Sequence, residues 1–553
     1  MNLQIKNSVK FLFTLAVLIT ACNCTPSDKT PKPTPPPGLD ATIGSLTQLY
    51  QPGDIPVIGY GIVAGLPGTG SSECPPALRE VLIKYIWQQL PAESRINPES
   101  FINSQDTAVV EVYGVIPSLA SRGRNFDVKV RALSSTQTVS LDGGRLYSTE
   151  LKESSRLKTF DQFAKPLALA QGPIFINKLD HATPVTTEAY ILGGGITSES
   201  TTVSLTLNSP DYILANAIRN RINERFGPKT AKAISPQQVQ IEIPNQFLQE
   251  KDTFFTMVRL LYLAGTPQLR QQRINDLVDK LIHQQNKRDS ELALTTIGTP
   301  ALDKLFPLLQ SNDQAVRFYA SRCVLSIGNT VAVPVMSQII NDRNSPYRIE
   351  AIKAIATYAK RKDAIPILNV ALIDADFDVK FAAYEQLRKL DDISVSRTLI
   401  AGDFFIDSVT CTGPKTIFVS RSTSPRVVLF GSPIFCKKNI FVKSPNDEIM
   451  INASPNQNAV SVMRKHPKRP KLLGPLNTSF ELIDIIQALC QDPDTEKTPG
   501  IRPGLGVLYT DLIALLQQMC LKGVVNAQFV AGDLTHVEQI PASTPKSEEN
   551  ITK

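Results

Sequence analysis

From Ile43 to about Pro244, apolar and polar residues alternate in short runs, as in Ala108–Val115 (AVVEVYGV) and Asp127–Leu133 (DVKVRAL), separated by Gly, Pro, Ser and Asn. A period of two puts alternate side chains on opposite faces, so these runs predict half-buried strands of a β-rich α+β region. Two stretches break the alternation and predict helices. One is about Pro76–Gln89; the other is Tyr212–Phe226, opened by the turn and cap residues Ser209-Pro210-Asp211 and closed by Gly227.

Between about Pro267 and Asp392 the period becomes helical and a unit repeats. Arg317, Arg348 and Lys380 recur at spacings of 31 and 32 residues. The same offsets relate Ala320, Ala351 and Ala383; Val324, Ile355 and Leu387; and Ile327, Tyr358 and Leu390. These columns fall on the i, i+3, i+7, i+10 stripe that buries one helix face. Pro334 and Pro366 are expected at the start of each unit's second helix, where a missing N–H costs least. Helix pairs that cannot bury their apolar faces alone stack, so the segment predicts an α-solenoid in the register of short HEAT-like repeats, with a weaker unit around Leu292–Leu309. Its separate hydrophobic pattern predicts a core of its own. Beyond about Val395, strands return in TIFVSRS, RVVLFGS and NIFVKS, followed by amphipathic helices at Ser479–Cys490 and Thr510–Gly523. The polar tail after Asp533 is expected to stay outside the fold.

At the N-terminus, Lys6 and Lys10 precede the apolar run Phe11–Ile19, which is too short to span a bilayer and reads as a signal peptide. Thr20-Ala21 directly before Cys22 resembles the lipobox of bacterial lipoproteins, making Cys22 the expected lipid attachment; ordinary cleavage after Ala21 is the alternative. Residues 23–39 are rich in proline and predict an extended spacer between anchor and first domain. A formal charge of +7 favours anionic surfaces such as cell wall or lipid headgroups. With no RNP, helix-turn-helix or finger pattern, no nucleic-acid partner is expected. The basic run Arg464–Lys471 reads as a solvated loop, with docking on peptidoglycan carboxylates or lipid phosphates as the alternative.

Candidate chemistry is sparse. His181, His283, His466 and His536 show no metal-ligand spacing, and no nucleophile elbow occurs, so no catalytic, cofactor or metal residue is nominated. Six cysteines follow Cys22 and Cys24. If oxidised after export, Cys411–Cys436 and Cys490–Cys520 are the local pairings, while buried free thiols are the expected state, above all for Cys323. The stretch GYGIVAGLPGTGSS at 59–72 mimics a phosphate-binding loop, but Ser71 stands where the lysine is needed, which argues against an NTPase.

Gly59–Gly70 (GYGIVAGLPGTG) is followed in order by IPSLASRGRNFDV from Ile116, SLDGG from Ser140, AQGP from Ala170, LNSPDYILANAIRNRINERFG from Leu207 and DLIALLQQMCLKGVVNAQF from Asp511. In this series the chain resembles the flagellar P-ring protein family, over most of 40–265 and more loosely over 395–532. The resemblance implies a non-enzymatic subunit that packs side by side into a ring around the rod at the peptidoglycan layer, as a bushing in the periplasmic part of the basal body. Its implied partners are further copies of itself, rod and outer-membrane ring proteins, and peptidoglycan. Glycines permit close backbone approach, so Gly59, Gly61, Gly65, Gly68 and Gly70 form the candidate subunit-contact turn. The lipobox and the repeat lie outside the resemblance, and the solenoid would add a surface for an unidentified partner. A lipid-anchored HEAT-repeat adaptor that keeps the ring fold as a monomer is the rival reading. The expected architecture is α+β, a β-rich ring-subunit scaffold interrupted by an α-solenoid of HEAT-like helix pairs. It divides into a leader at 1–22, a linker at 23–39, ring-like regions at 40–265 and 395–532 around the repeat at 267–392, and a tail at 533–553.

Overall fold

The computed structural model describes residues 41–89, 97–154, 165–179, 184–248, 250–465, 472–493 and 503–537. Cys22, the proline-rich spacer, His181, residues 466–471 of the basic run and residues 538–553 of the tail lie outside these.

The first strand, β1 (Thr47–Tyr50), pairs with β8 (Val203–Leu207) in a four-stranded antiparallel sheet completed by β10 (Gln238–Ile241) and β9 (Ala231–Ala233). Between β1 and β8 the chain builds a closed barrel from β2 (Ile55–Ala64), β3 (Thr107–Ile116), β4 (Asn125–Ala132), β5 (Arg145–Glu153), β6 (Ala168–Pro173) and β7 (Glu188–Thr197), in the order β2-β3-β4-β7-β6-β5. The alternation read from the sequence is the barrel's inside and outside: Val110, Val112, Val128 and Val130 are buried in its interior. Helix α1 (Pro76–Gln89) lies against its outer wall, and α2 (Tyr212–Phe226) covers the small sheet. As expected for α2, the Asp211 carboxylate accepts from the Ile213 and Leu214 N–H groups, and Gly227 ends the helix at φ 112°.

After α3 (Lys251–Leu260) come the helices of the repeat: α4 (Pro267–His283), α5 (Lys287–Ile297), α6 (Gln314–Ser326), α7 (Val333–Asn341), α8 (Arg348–Tyr358), α9 (Arg361–Ala371) and α10 (Phe377–Lys389). Two of the apolar columns are buried as the stripe required, Ala320, Ala351, Ala383, Val324, Ile355 and Leu387 each being 0% exposed, while Ile327, Tyr358 and Leu390 are half-buried. The basic column has a specific purpose. Arg317 Nη1 donates to the Ser311 carbonyl and Arg348 Nε to the Ile340 carbonyl, satisfying the acceptor-rich end of the preceding helical turn. Lys287 does the same for α4, donating to the carbonyls of Leu281, Ile282 and Gln284. It stands 30 residues before Arg317, so α5 is an earlier member of the repeat, with Ser290 in the alanine column. Pro334 starts α7 as expected, but Pro366 lies inside α9. The difference arises because Thr330–Ala332 form a separate 3-10 turn before α7, whereas their equivalents are already α-helical from Arg361.

The chain then forms a five-stranded sheet in the order β11 (Val395–Ile400), β12 (Phe404–Val409), β14 (Arg426–Phe430), β13 (Thr416–Arg421), β19 (Gln528–Leu534). Beside it is a four-stranded sheet of β15 (Ile440–Lys443), β16 (Ile449–Ala453), β17 (Val460–Lys465) and β18 (Leu472–Thr478). Helices α11 (Leu482–Cys490) and α12 (Tyr509–Leu521) close this half. Strand β19 takes up the beginning of the polar tail through Leu534.

The repeat does not have the separate core that its pattern suggested. Ile417, Val419, Val427 and Leu429 belong to the core under α11 and α12, while the alternate residues Phe418, Val428 and Phe430 belong to the core of the helices. The central strands β13 and β14 are thus buried on both faces, which explains their continuous apolar runs. Phe381 meets Phe418 at 4.5 Å between ring centroids and Tyr384 meets Phe430 at 5.4 Å. At the other end, Arg225 of α2 donates to the Thr295 and Thr296 carbonyls, and Tyr358 Oη to Glu250 at 2.7 Å.

Candidate functional site

The glycine segment from 59 to 70 divides into two parts with different roles. Gly59 and Gly61 are strand residues in β2, where its pairing with β5 is irregular between Ile58 and Val63 as the barrel closes. A Cβ at Gly59 would sit 2.2 Å from the Glu150 carbonyl oxygen, and one at Gly61 2.1 Å from Thr149 Oγ1. Gly70 is equally enclosed, with the Thr107 carbonyl oxygen 2.0 Å from its would-be Cβ. At these three positions the missing side chain serves internal packing. Gly65 and Gly68 form the turn itself, at φ +84° and +78°, with open space where a side chain would go.

The hydrogen bonds of this segment dispose of the phosphate-loop likeness. Leu66 N–H donates to the Asp106 carbonyl, Gly68 N–H to Asp106 Oδ1 at 3.0 Å, Gly70 N–H to Gln105 and Ser71 N–H to Thr107. With its amides so engaged, the loop offers no cradle for an anion.

Motifs far apart in sequence meet at the junction of the barrel and the C-terminal sheets. Lys178 binds Asp142 of the SLDGG motif at 2.6 Å and Asp511, the first residue of the closing helix motif, at 2.8 Å. Burial alone would lower the Lys178 pKa, but Asp511 and Asp142 overcome it and hold the ammonium above its ordinary value. Asp127 sits where β4 shifts register against β7; one carboxylate oxygen accepts from Gly193 N–H at 2.6 Å and the other from Thr423 N–H at 2.9 Å. Arg145 pairs with Asp403 at 2.7 Å. Barrel and C-terminal region are therefore clamped by charge-assisted bonds in which the recurring Asp residues act as structural acceptors.

The four candidate disulfide cysteines are free thiols, as are Cys74 and Cys323. Cys411 packs with the helical core, whereas Cys436 lies in the core across the sheet, which keeps this pair apart. Cys436, Cys490 and Cys520 share that second core, and burial pushes the Cys436 thiol up to about 12 and Cys520 up to about 11. Arg464 of the basic run is not solvated as expected: its guanidinium donates to the Leu505 carbonyl at 3.0 Å. Among the described residues, no cluster of His, Cys, Asp or Glu could hold a metal.

An exposed apolar feature escaped the sequence reading. Between α1 and the barrel lies a cavity of about 140 Å³ lined by Tyr60, Ile62, Leu82, Ile86, Phe101 and Tyr147. Tyr85 Oη donates to Glu150 at 2.8 Å at its side, and Trp87 is 60% exposed on the same helix. The composition of α1 could have signalled it, since Trp87 breaks the polar face that a helix lying on a barrel needs.

Among the described residues, the barrel, the clamps and the apolar cleft are built from side chains that pack and bridge. Residues 43–275 match the family described as flagellar P-ring protein. The Flagellar P-ring protein of Thermotoga maritima is 29% identical over 221 residues, covering 37% of this chain and 61% of the relative. That of Hydrogenovibrio crunogenus is 30% identical over 34% of this chain and 53% of the relative, and that of Campylobacter lari 30% over 41% and 64%. The chain thus spans between half and two thirds of the length of these curated relatives. Among solved structures, the complex of CpcE and CpcF of phycocyanin lyase from Nostoc matches 22% of this chain at 20% identity and a TM-score of 0.20, too low to carry an argument.

Proposed function

We propose that this chain is a non-enzymatic, ring-forming subunit of the flagellar basal body, encircling the rod at the peptidoglycan layer as a bushing. The observation that carries this reading is the P-ring family match over the barrel and its flanking sheet. Further support comes from the Lys178 clamp, which ties that region to the closing helix. A ring needs a head-to-tail contact between two different patches on each copy. The Gly65–Gly68 turn and the outer face of α1, with its apolar cleft and the exposed Trp87, are the surfaces assigned to it. Cys22 would carry the lipid, and rod, outer-membrane ring proteins and peptidoglycan would be the neighbours.

Particle size tests the reading. Chain extracted in mild detergent and imaged by negative-stain electron microscopy should give closed rings. Trp87→Ala should reduce their yield while leaving monomer melting within about 0.5 kcal/mol, since the side chain is exposed. A monodisperse monomer under every extraction condition would favour the lipid-anchored adaptor instead.

A further inference from the structure

Where the ring-like region meets the repeat, four arginines converge. Arg221 and Arg225, one turn apart on α2, face Arg270 and Arg273 on the first turns of α4 across a cleft of about 530 Å³ floored by the connecting loop 262–265. That volume is within the roughly 300–1,000 Å³ of small-molecule sites. The carboxylate lining it is Glu224, which pairs with Arg221 at 2.8 Å from an exposed position.

Three of the guanidiniums donate to backbone carbonyls. Arg225 Nε and Nη2 donate to the Thr296 and Thr295 carbonyls at 3.0 and 2.8 Å, the acceptor-rich end of α5. Arg221 Nε donates to the Tyr262 carbonyl at 3.0 Å. Arg273 lies over the Tyr262 ring at 3.8 Å and donates to the Ala264 carbonyl at 2.9 Å. Burial lowers the Arg225 pKa and the nearby charge of Arg221 lowers it further, so its positive charge is held at a cost that an incoming anion would relieve. Arg221, Arg225 and Arg273, anchored in this way, lose little freedom on binding, and planar guanidiniums match the oxygens of phosphate and carboxylate groups.

We infer that this cleft binds a small oxyanionic ligand, bearing phosphate or carboxylate groups, through Arg221, Arg225, Arg270 and Arg273. The inference does not depend on ring formation. It places a ligand between α2 of the family-matched region and the repeat, where occupancy would bridge the two.

Calorimetric titration of the full chain with sodium pyrophosphate and, separately, sodium citrate, at constant ionic strength, tests it. Saturable binding of at least one is expected, and binding of pyrophosphate alone or citrate alone identifies the group preferred. Arg270→Gln, at an exposed position, should weaken binding at least tenfold while leaving the anion-free melting curve unchanged. Arg221→Gln should weaken it similarly. Absence of saturable binding by both anions up to about 10 mM, well above ordinary site affinities, would overturn the inference. So would equal affinity in wild type and Arg270→Gln.

Discussion

At the scale of single residues, the glycine segment shows why one motif can carry two unrelated roles. Gly61 is irreplaceable because Thr149 occupies the space of a side chain, whereas Gly68 is constrained by its backbone angle alone. Gly61→Val should therefore cost about 1–3 kcal/mol or more through overpacking at the barrel seam. Gly68→Ala should cost about 1–2 kcal/mol, the strain of a left-handed residue. Urea unfolding of the two variants checks this, and a Gly61→Val protein as stable as wild type would refute the internal role. From sequence the two positions looked alike, because a turn and a tight strand crossing both require a missing Cβ. The cleft arginines were readable as pairs four and three residues apart, but nothing in the sequence says that α2 and the start of α4 face one another.

At the scale of elements, the helical columns were legible because a 3.6-residue period repeated at constant spacing leaves little else for the chain to do. The earlier member at α5 was obscured by Ser290 in the alanine column, and by the short helix Leu302–Leu305 and 3-10 turn Phe306–Gln310 that stand in for its second helix. That unit is tied to the next by Glu291, 2% exposed, which accepts from Arg322 at 2.6 Å and from Arg288 at 3.0 Å. Removing the shared carboxylate would leave Arg322 buried and unbalanced, so Glu291→Ala should destabilise the fold by about 3–5 kcal/mol. Arg288→Ala, removing a more exposed partner, should cost about 1 kcal/mol or less. A drop in the urea midpoint no larger for Glu291→Ala than for Arg288→Ala would show that the triad does not hold the two units together.

At the scale of the whole molecule, the alternation in the first half was enough to predict strands but not a closed barrel, since the pairing of β2 with β5 joins residues 81 to 96 positions apart, such as Ala64 with Arg145 and Val57 with Glu153. The apolar runs of the five-stranded sheet likewise required burial on both faces without saying what would cover them. The answer, the last helix of the repeat, makes the repeat part of the fold. Replacing residues 267–392 with a Gly/Ser linker would expose Phe418, Val428 and Phe430, each costing about 1.5–3 kcal/mol in lost burial. The shortened chain should unfold at a lower temperature than the full chain by circular dichroism, and an unchanged transition would restore the independent insertion that the sequence pattern suggested. The central claim, that this subunit forms the ring around the rod, is tested most directly by electron cryotomography of flagellar motors in cells with and without the gene. The account predicts a ring at the peptidoglycan layer that disappears on deletion and returns with the wild-type chain; an unaltered ring in the deletion strain would contradict it.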